Sequence, residues 1–153
     1  MKNILTLLLL CISVLGFSQH TNSSKDTLLQ KIDTIYSTPY IDGLSFLKVR
    51  TGNKESIFLS VTLHSTTAIE GQKGASILLD NGKAINKSNA VITVKPFQNS
   101  NSYIYSSLLE LSDNDISFFR NHNVFRFRLY VYYNDVKEGQ KLKEELIKLL
   151  AKP

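Results

Sequence analysis

Cysteine occurs once in this chain, at Cys11, and that scarcity removes several chemistries. Cys11 lies inside an N-terminal apolar run, so a chain cut after that run carries no thiol. Disulfides, thiolate metal ligands and cysteine nucleophiles are then excluded. A membrane-spanning helix is lacking too, because it needs roughly 20 consecutive apolar residues. The run from Ile4 to Leu15 stops short of that and leads into polar residues. Charge of one sign is nowhere concentrated: 18 basic and 13 acidic residues give a net +5, scattered along the chain. A nucleic-acid binder gathers Lys and Arg on one face or stripe. Nucleic acid is therefore not an expected partner, and the mild basicity supports only a preference for anionic surfaces.

Catalytic and metal-binding motifs are equally scarce. His20, His64 and His122 lie far apart, whereas a zinc site wants three or four ligands at characteristic local spacing. Asp113-Asn114-Asp115 begins like a calcium loop but lacks the glycine turn and the distal Glu. Gly71-Gln72-Lys73-Gly74-Ala75-Ser76 echoes a phosphate loop with the wrong order and spacing, and reads as a flexible loop between two strands. No Gly-x-Ser-x-Gly elbow occurs. Glu144-Glu145 sit among lysines, where they balance charge on a helix face. No catalytic residue, metal or cofactor is expected.

What is present begins with export. Lys2, the apolar run and Gly16-Phe17-Ser18 ahead of Gln19 have the layout of a secretory signal peptide over residues 1–18. The competing readings are a buried N-terminal helix and lipidation of Cys11. Lipoprotein signals want a small residue before the modified cysteine, and Leu10 stands there. The expected organisation is a signal peptide at 1–18, a disordered lead-in at 19–27 and a single β-rich globular domain at 28–153. That length fits one domain of about 100–150 residues. The expected location is outside the cytoplasm, periplasmic or secreted, with no transmembrane segment in the mature chain.

Residues 28–36 fit two patterns. Leu28, Leu29, Ile32, Ile35 and Tyr36 have helical spacing, and Asp33 to Tyr36 also reads as a strand ahead of Pro39. From Leu44 the period is two. Ile57, Leu59, Val61 and Leu63 alternate with Ser56, Phe58, Ser60, Thr62 and His64, the pattern of a half-buried strand. Ser76 to Asp80 and Lys83 to Lys87 flank Asn81-Gly82, which predicts a hairpin with a type I′ turn. Further strands are predicted at 90–97, at 102–109 with Tyr103 and Tyr105 on one face, and at Val124 to Tyr133. Ser112 and Asp115 form a capping-box pair that starts a short helix, and Leu111 and Ile116 form its hydrophobic staple. That helix is predicted to end near Asn121-His122-Asn123 in a left-handed conformation. A C-terminal helix begins near Asp135 with Glu138 in the capping position. Val136, Leu142, Leu146, Ile147, Leu149 and Leu150 share one side of it, and Lys137, Lys141, Glu144, Glu145 and Lys148 the other.

The expected fold is mainly β: an antiparallel β-sandwich with a short helix before the last strand and a C-terminal amphipathic helix. A transmembrane barrel does not suit a polar-faced helix after the last strand. One surface stands above background. In Val124 to Tyr133, alternation puts Phe125, Phe127, Leu129, Val131 and Tyr133 on a core face. Arg126, Arg128, Tyr130 and Tyr132 fall on the other face, and Arg and Tyr are enriched where proteins bind partners. Ordinary cross-strand pairing on a solvent-facing sheet explains the same residues. The chemistry of the strip suits an anionic glycan or an acidic protein surface.

The Phe17-Ser18-Gln19 junction, the Lys/Asn/Ile-rich composition, the Asp80-Asn81-Gly82 hairpin and the segment Ser112 to Tyr133 resemble small exported proteins of unknown function from Bacteroidetes-type Gram-negative bacteria. The resemblance implies a periplasmic or secreted location and no known activity. In such bacteria O-glycans are attached at Asp-Ser/Thr followed by an apolar residue, and Asp26-Thr27-Leu28 and Asp33-Thr34-Ile35 match that pattern. The functional expectation is a non-enzymatic binding or interaction domain of the bacterial cell envelope. The alternative is a periplasmic or secreted hydrolase-like enzyme with a site built from loops.

Overall fold

The computed structural model describes residues 32–98 and 100–153. The expected signal peptide at 1–18, the lead-in at 19–27 and the first residues of the expected domain lie outside the described residues. Of the two readings at 28–36, the strand holds from Thr34, in β1 (Thr34–Ser37).

The chain is mainly β, with two antiparallel sheets and two helices among the described residues. β1, β2 (Leu44–Thr51), β3 (Lys54–Ser65), β7 (Tyr103–Glu110) and β6 (Thr93–Pro96) form the first sheet in that spatial order. The second runs β5 (Ala84–Val91), β4 (Lys73–Leu79), β8 (Val124–Leu129) and β9 (Tyr132–Asp135). One core joins them, with Leu44, Phe46, Leu59, Val61 and Tyr105 from the first sheet meeting Ile77, Leu79, Phe127 and Leu129 from the second. The alternating residues Ile57, Leu59, Val61 and Leu63 are all buried in that core, as the period of two requires. Phe58, on the opposite face, is buried as well and belongs to a separate apolar cluster.

The predicted hairpin at Asn81-Gly82 forms, with a different turn. The Gly82 N–H donates to Leu79 O at 3.0 Å, and Gly82 takes φ +79° while Asn81 stays at negative φ. A turn followed by a left-handed glycine is the three-residue hairpin loop, not type I′. Residues 90–97 are not one strand: β5 ends at Val91, buried Ile92 follows, and β6 starts at Thr93 in the other sheet.

The helices are α1 (Asp113–Asn121) and α2 (Gly139–Leu150). The Ser112–Asp115 capping box is formed in both directions. Asp115 also pairs with Lys87 of β5 at 2.6 Å, which ties α1 to the second sheet. The helix ends where the sequence suggests, yet His122 caps it in an extended conformation and no left-handed residue is involved. α2 starts at Gly139, later than expected, and Glu138 makes no side-chain cap. Its leucines Leu142, Leu146 and Leu149 are buried in the shared core, whereas Ile147, expected on that side, is 46% exposed. Neither helix is long and apolar enough to cross a membrane.

Candidate functional site

The predicted Arg–Tyr strip rests on Val124 to Tyr133 being one straight strand, and two local events break it. The first is a β-bulge. Leu79 pairs with Val124 and Leu78 with Arg126, so Phe125 is the extra residue. The bulge shifts the alternation: Val124, Phe127 and Leu129 are buried, and Phe125, expected in the core, is 52% exposed. The second event is a tight reversal. Leu129 pairs with Tyr132, which leaves Tyr130-Val131 as a two-residue turn between β8 and β9. Tyr130 sits at φ +54° and Val131 does not share the positive φ, the pattern of a type II′ turn. Val131 and Tyr133 are consequently exposed, and not core residues.

The reversal also redistributes the four candidate residues. Arg126 and Arg128 remain on the outer face of the second sheet, paired across from Leu78 and Ser76. Tyr130 stands at the turn. Tyr132 turns inward with Leu129, and its ring packs on buried Tyr105 at 4.9 Å. Burial pushes the Tyr105 phenol up, and its hydroxyl is held by the Thr67 carbonyl and the Ile69 N–H. Tyr132 therefore belongs to the margin of the core. Its place on the outer face is taken by Tyr133, which pairs with Arg128.

The two arginines differ in their surroundings. The Arg126 Nε donates to Asp135 at 2.6 Å, a hydrogen bond that raises its pKa further. The guanidinium also lies 4.7 Å from the Tyr133 ring centre. Its charge is thus already answered. No acidic group lies within 4.0 Å of Arg128 or Lys73 among the described residues.

Arg128 and Lys73 open onto a groove of about 390 Å³ between β5, β4 and the β8–β9 turn. Asn86, Ser88 and Tyr130 add polar and aromatic groups to its lining and Val131 an apolar one, and among the described residues no carboxylate or histidine lines it. The strand register explains the convergence. Asn86 pairs with Ser76, Ser76 with Arg128, and Arg128 with Tyr133, so one row crosses the whole sheet. Three strand spacings make that row about 14 Å long. The adjoining row is anchored by the Tyr130 N–H, which donates to Gly74 O at 2.9 Å. Lys73 and Gly74, read from sequence as part of a loop, belong to β4 at a second bulge, where Gly74 takes φ +104°.

Arg128 and Tyr130 are thus the candidate residues that share the groove. Lys73, Asn86 and Ser88 were not legible as partners, since only the strand register brings them to Arg128. Chemically, the groove offers an arginine fork, an ammonium, two hydroxyls and an amide, a donor-rich set suited to an anionic or polyhydroxyl ligand. His64 lies apart, edge-on to Phe97 at 5.1 Å, and His122 faces Asp80 at 3.4 Å. Among the described residues no cluster of three His, Cys, Asp or Glu could hold a metal. Thr34, in one of the two tripeptides that match the glycan-attachment pattern, is half-buried at the start of β1, and the other tripeptide lies outside the described residues.

Comparison with protein-family models, curated proteins and solved structures finds no match to this chain.

Proposed function

We propose that the chain is an exported, non-enzymatic binding domain of the cell envelope, a β-sandwich whose second sheet takes an anionic glycan in the groove at Arg128. The observation that carries this reading is the convergence of Lys73 and Arg128, neither within 4.0 Å of an acidic group among the described residues, on a groove lined by Asn86, Ser88 and Tyr130. An arginine fork matches a carboxylate or sulfate with two parallel hydrogen bonds. Hydroxyl and amide groups suit sugar hydroxyls, and the ring of Tyr130 offers an apolar surface to a sugar face. Size favours a glycan over an acidic protein patch. A volume of about 390 Å³ falls within the ~300–1,000 Å³ of small-ligand sites. A protein partner covers roughly 800 Å² on each side.

The test is retention of the purified protein on immobilised uronic-acid and sulfated oligosaccharides, beside their neutral counterparts. Retention of the acidic ligands alone is expected, falling as salt rises. The Lys73→Ala/Arg128→Ala variant is expected to bind at least tenfold more weakly with an unchanged melting point. Equal retention of neutral sugars, or undiminished binding by the variant, rejects the reading. Capture of acidic proteins without any sugar binding would replace the glycan by a protein partner.

Export is tested separately by the intact mass of the protein recovered outside the cytoplasm. A chain beginning at or next to Gln19 is expected. Retention of residues 1–18, or a lipid adduct on Cys11, overturns it.

A further inference from the structure

Beside the groove, the second sheet carries two exposed aromatic residues. Phe125 is the extra residue of the β8 bulge and Tyr133 lies on the edge strand β9. They are 52% and 63% exposed. The Arg126 guanidinium links them, 4.7 Å from the Tyr133 ring centre and 5.8 Å from that of Phe125. Asp135 accepts from that guanidinium at 2.6 Å. The three residues thus make an aromatic platform whose cation is already neutralised by a carboxylate.

Platform and groove are continuous. Tyr133 pairs with Arg128 of the groove, one strand spacing of about 4.8 Å away. Arg126 stands two residues from Arg128 along β8, roughly 7 Å by the strand rise. The two places differ in charge. Arg128 and Lys73 have no acidic group within 4.0 Å among the described residues, whereas Arg126 is paired. A free arginine fork selects a carboxylate or sulfate. An aromatic ring selects the apolar face of a sugar, and the Arg126–Asp135 pair adds no net charge to draw a second anion. A second copy of the chain is a poorer occupant: a stable interface takes roughly 20–30 residues a side, and the platform has three. We propose that the site has two compartments, in which Arg128 and Lys73 take the acidic unit of a glycan and Tyr133 and Phe125 take the uncharged sugar joined to it. This rests on the glycan reading of the groove and narrows its ligand to one that alternates acidic and neutral units.

Titrations of the purified protein with three sugars, followed by NMR, test this: glucuronic acid, a disaccharide of glucuronic acid and N-acetylglucosamine, and a disaccharide of two uronic acids. The mixed disaccharide is expected to bind at least tenfold more tightly than glucuronic acid, and the two-acid disaccharide no more than twofold. In Phe125→Ser/Tyr133→Ser the tenfold gain is expected to fall to twofold or less, at matched folded fraction. Equal binding of all three sugars, lost in Lys73→Ala/Arg128→Ala, overturns the second compartment and leaves the groove reading standing. An equal gain from the two-acid disaccharide, or a gain that survives in Phe125→Ser/Tyr133→Ser, overturns it as well. Binding of none of the three overturns both readings. Self-association that disappears in Phe125→Ser/Tyr133→Ser, without any gain from the mixed disaccharide, gives the platform to a second copy and overturns the proposal.

Discussion

Asp42 and Glu138 are 96 residues apart in sequence, and the carboxylate of the first accepts the backbone N–H of the second at 2.8 Å. The same oxygen accepts the Lys137 N–H at 2.7 Å, so one side chain holds the entry to α2. It also puts a negative charge at the positive end of the helix dipole. Asp42 sits at φ +50°, a conformation that Asp and Asn tolerate better than most residues, and its carbonyl accepts from the Asn134 Nδ2. The capping role expected of Glu138 is filled from the other end of the fold.

Replacing Asp42 with Ala is therefore expected to cost about 1–3 kcal/mol, through two lost charge-assisted hydrogen bonds and the strain of the positive φ. Asp42→Asn keeps the backbone conformation and one acceptor, and should lose less than half as much. Urea melts of the two variants check both the size and the order.

Which parts of this were readable in advance follows from which interactions are local. The Ser112–Asp115 box and the alternation in β3 depend on neighbours a few residues away, and both are present as read. The cap on α2 depends on Asp42, and no window around Glu138 contains it. The turn at Tyr130-Val131 was hidden for another reason. It contains no Gly, Asn, Asp or Pro, and its residues favour strands. Pairing with β4 and burial of Phe127 and Leu129 imposed the bulge and the reversal against that preference. Arg128 and Tyr130 were read together from the sequence and line one groove; Tyr132 and Tyr133 exchanged faces because a two-residue turn changes which residues look outward.

Gly139 gives a case in which propensity and packing predict opposite signs. Alanine is better than glycine inside a helix by about 1 kcal/mol. A Cβ on Gly139, however, would fall inside van der Waals contact with the Val124 carbonyl, backbone that cannot swing away. Overpacking of that kind costs about 1–3 kcal/mol. Gly139→Ala is therefore expected to destabilise the protein, measured as a lower urea midpoint with an unchanged slope. A higher midpoint would mean that α2 shifts freely against β8.

The pair Asp115–Lys87 predicts an acid-sensitive contribution to stability. Burial alone would raise the Asp115 pKa, but the hydrogen bond from Lys87 and those from Ser112 outweigh it and hold the carboxyl below its ordinary value. A depressed folded pKa means that the contribution is fully present above the unfolded value near 4 and is lost as pH falls through the lower folded value. Asp115→Asn should cost about 1–2 kcal/mol near pH 7, the scale of a lost cap. The difference from the unaltered protein should shrink steadily below about pH 4. Paired urea melts between neutral and acid pH test it, and a difference independent of pH would remove the carboxylate charge from the explanation.

Tyr132 and Tyr133 separate stability from binding across adjacent positions. Tyr132 is half-buried against Tyr105, so Tyr132→Ala removes core contact and an aromatic pair that adds about 0.5–1.5 kcal/mol beyond its buried area. A loss of about 2 kcal/mol or more is expected, with anionic-ligand affinity changed only as far as unfolding reduces the active fraction. Tyr133 is 63% exposed, and the Arg126 guanidinium lies over its ring, 4.7 Å from the centre. Tyr133→Ala should shift stability by no more than about 1 kcal/mol. Because Tyr133 pairs with Arg128 at the end of the row leading into the groove, its removal should weaken retention of acidic oligosaccharides severalfold. Arg126→Ala should have a smaller effect on retention than Arg128→Ala, since Asp135 already answers its charge. The decisive comparison is affinity at matched folded fraction. If Tyr133→Ala and Arg128→Ala bind like the unaltered protein, the outer face of the second sheet is not the binding surface, whatever Tyr132→Ala does to stability.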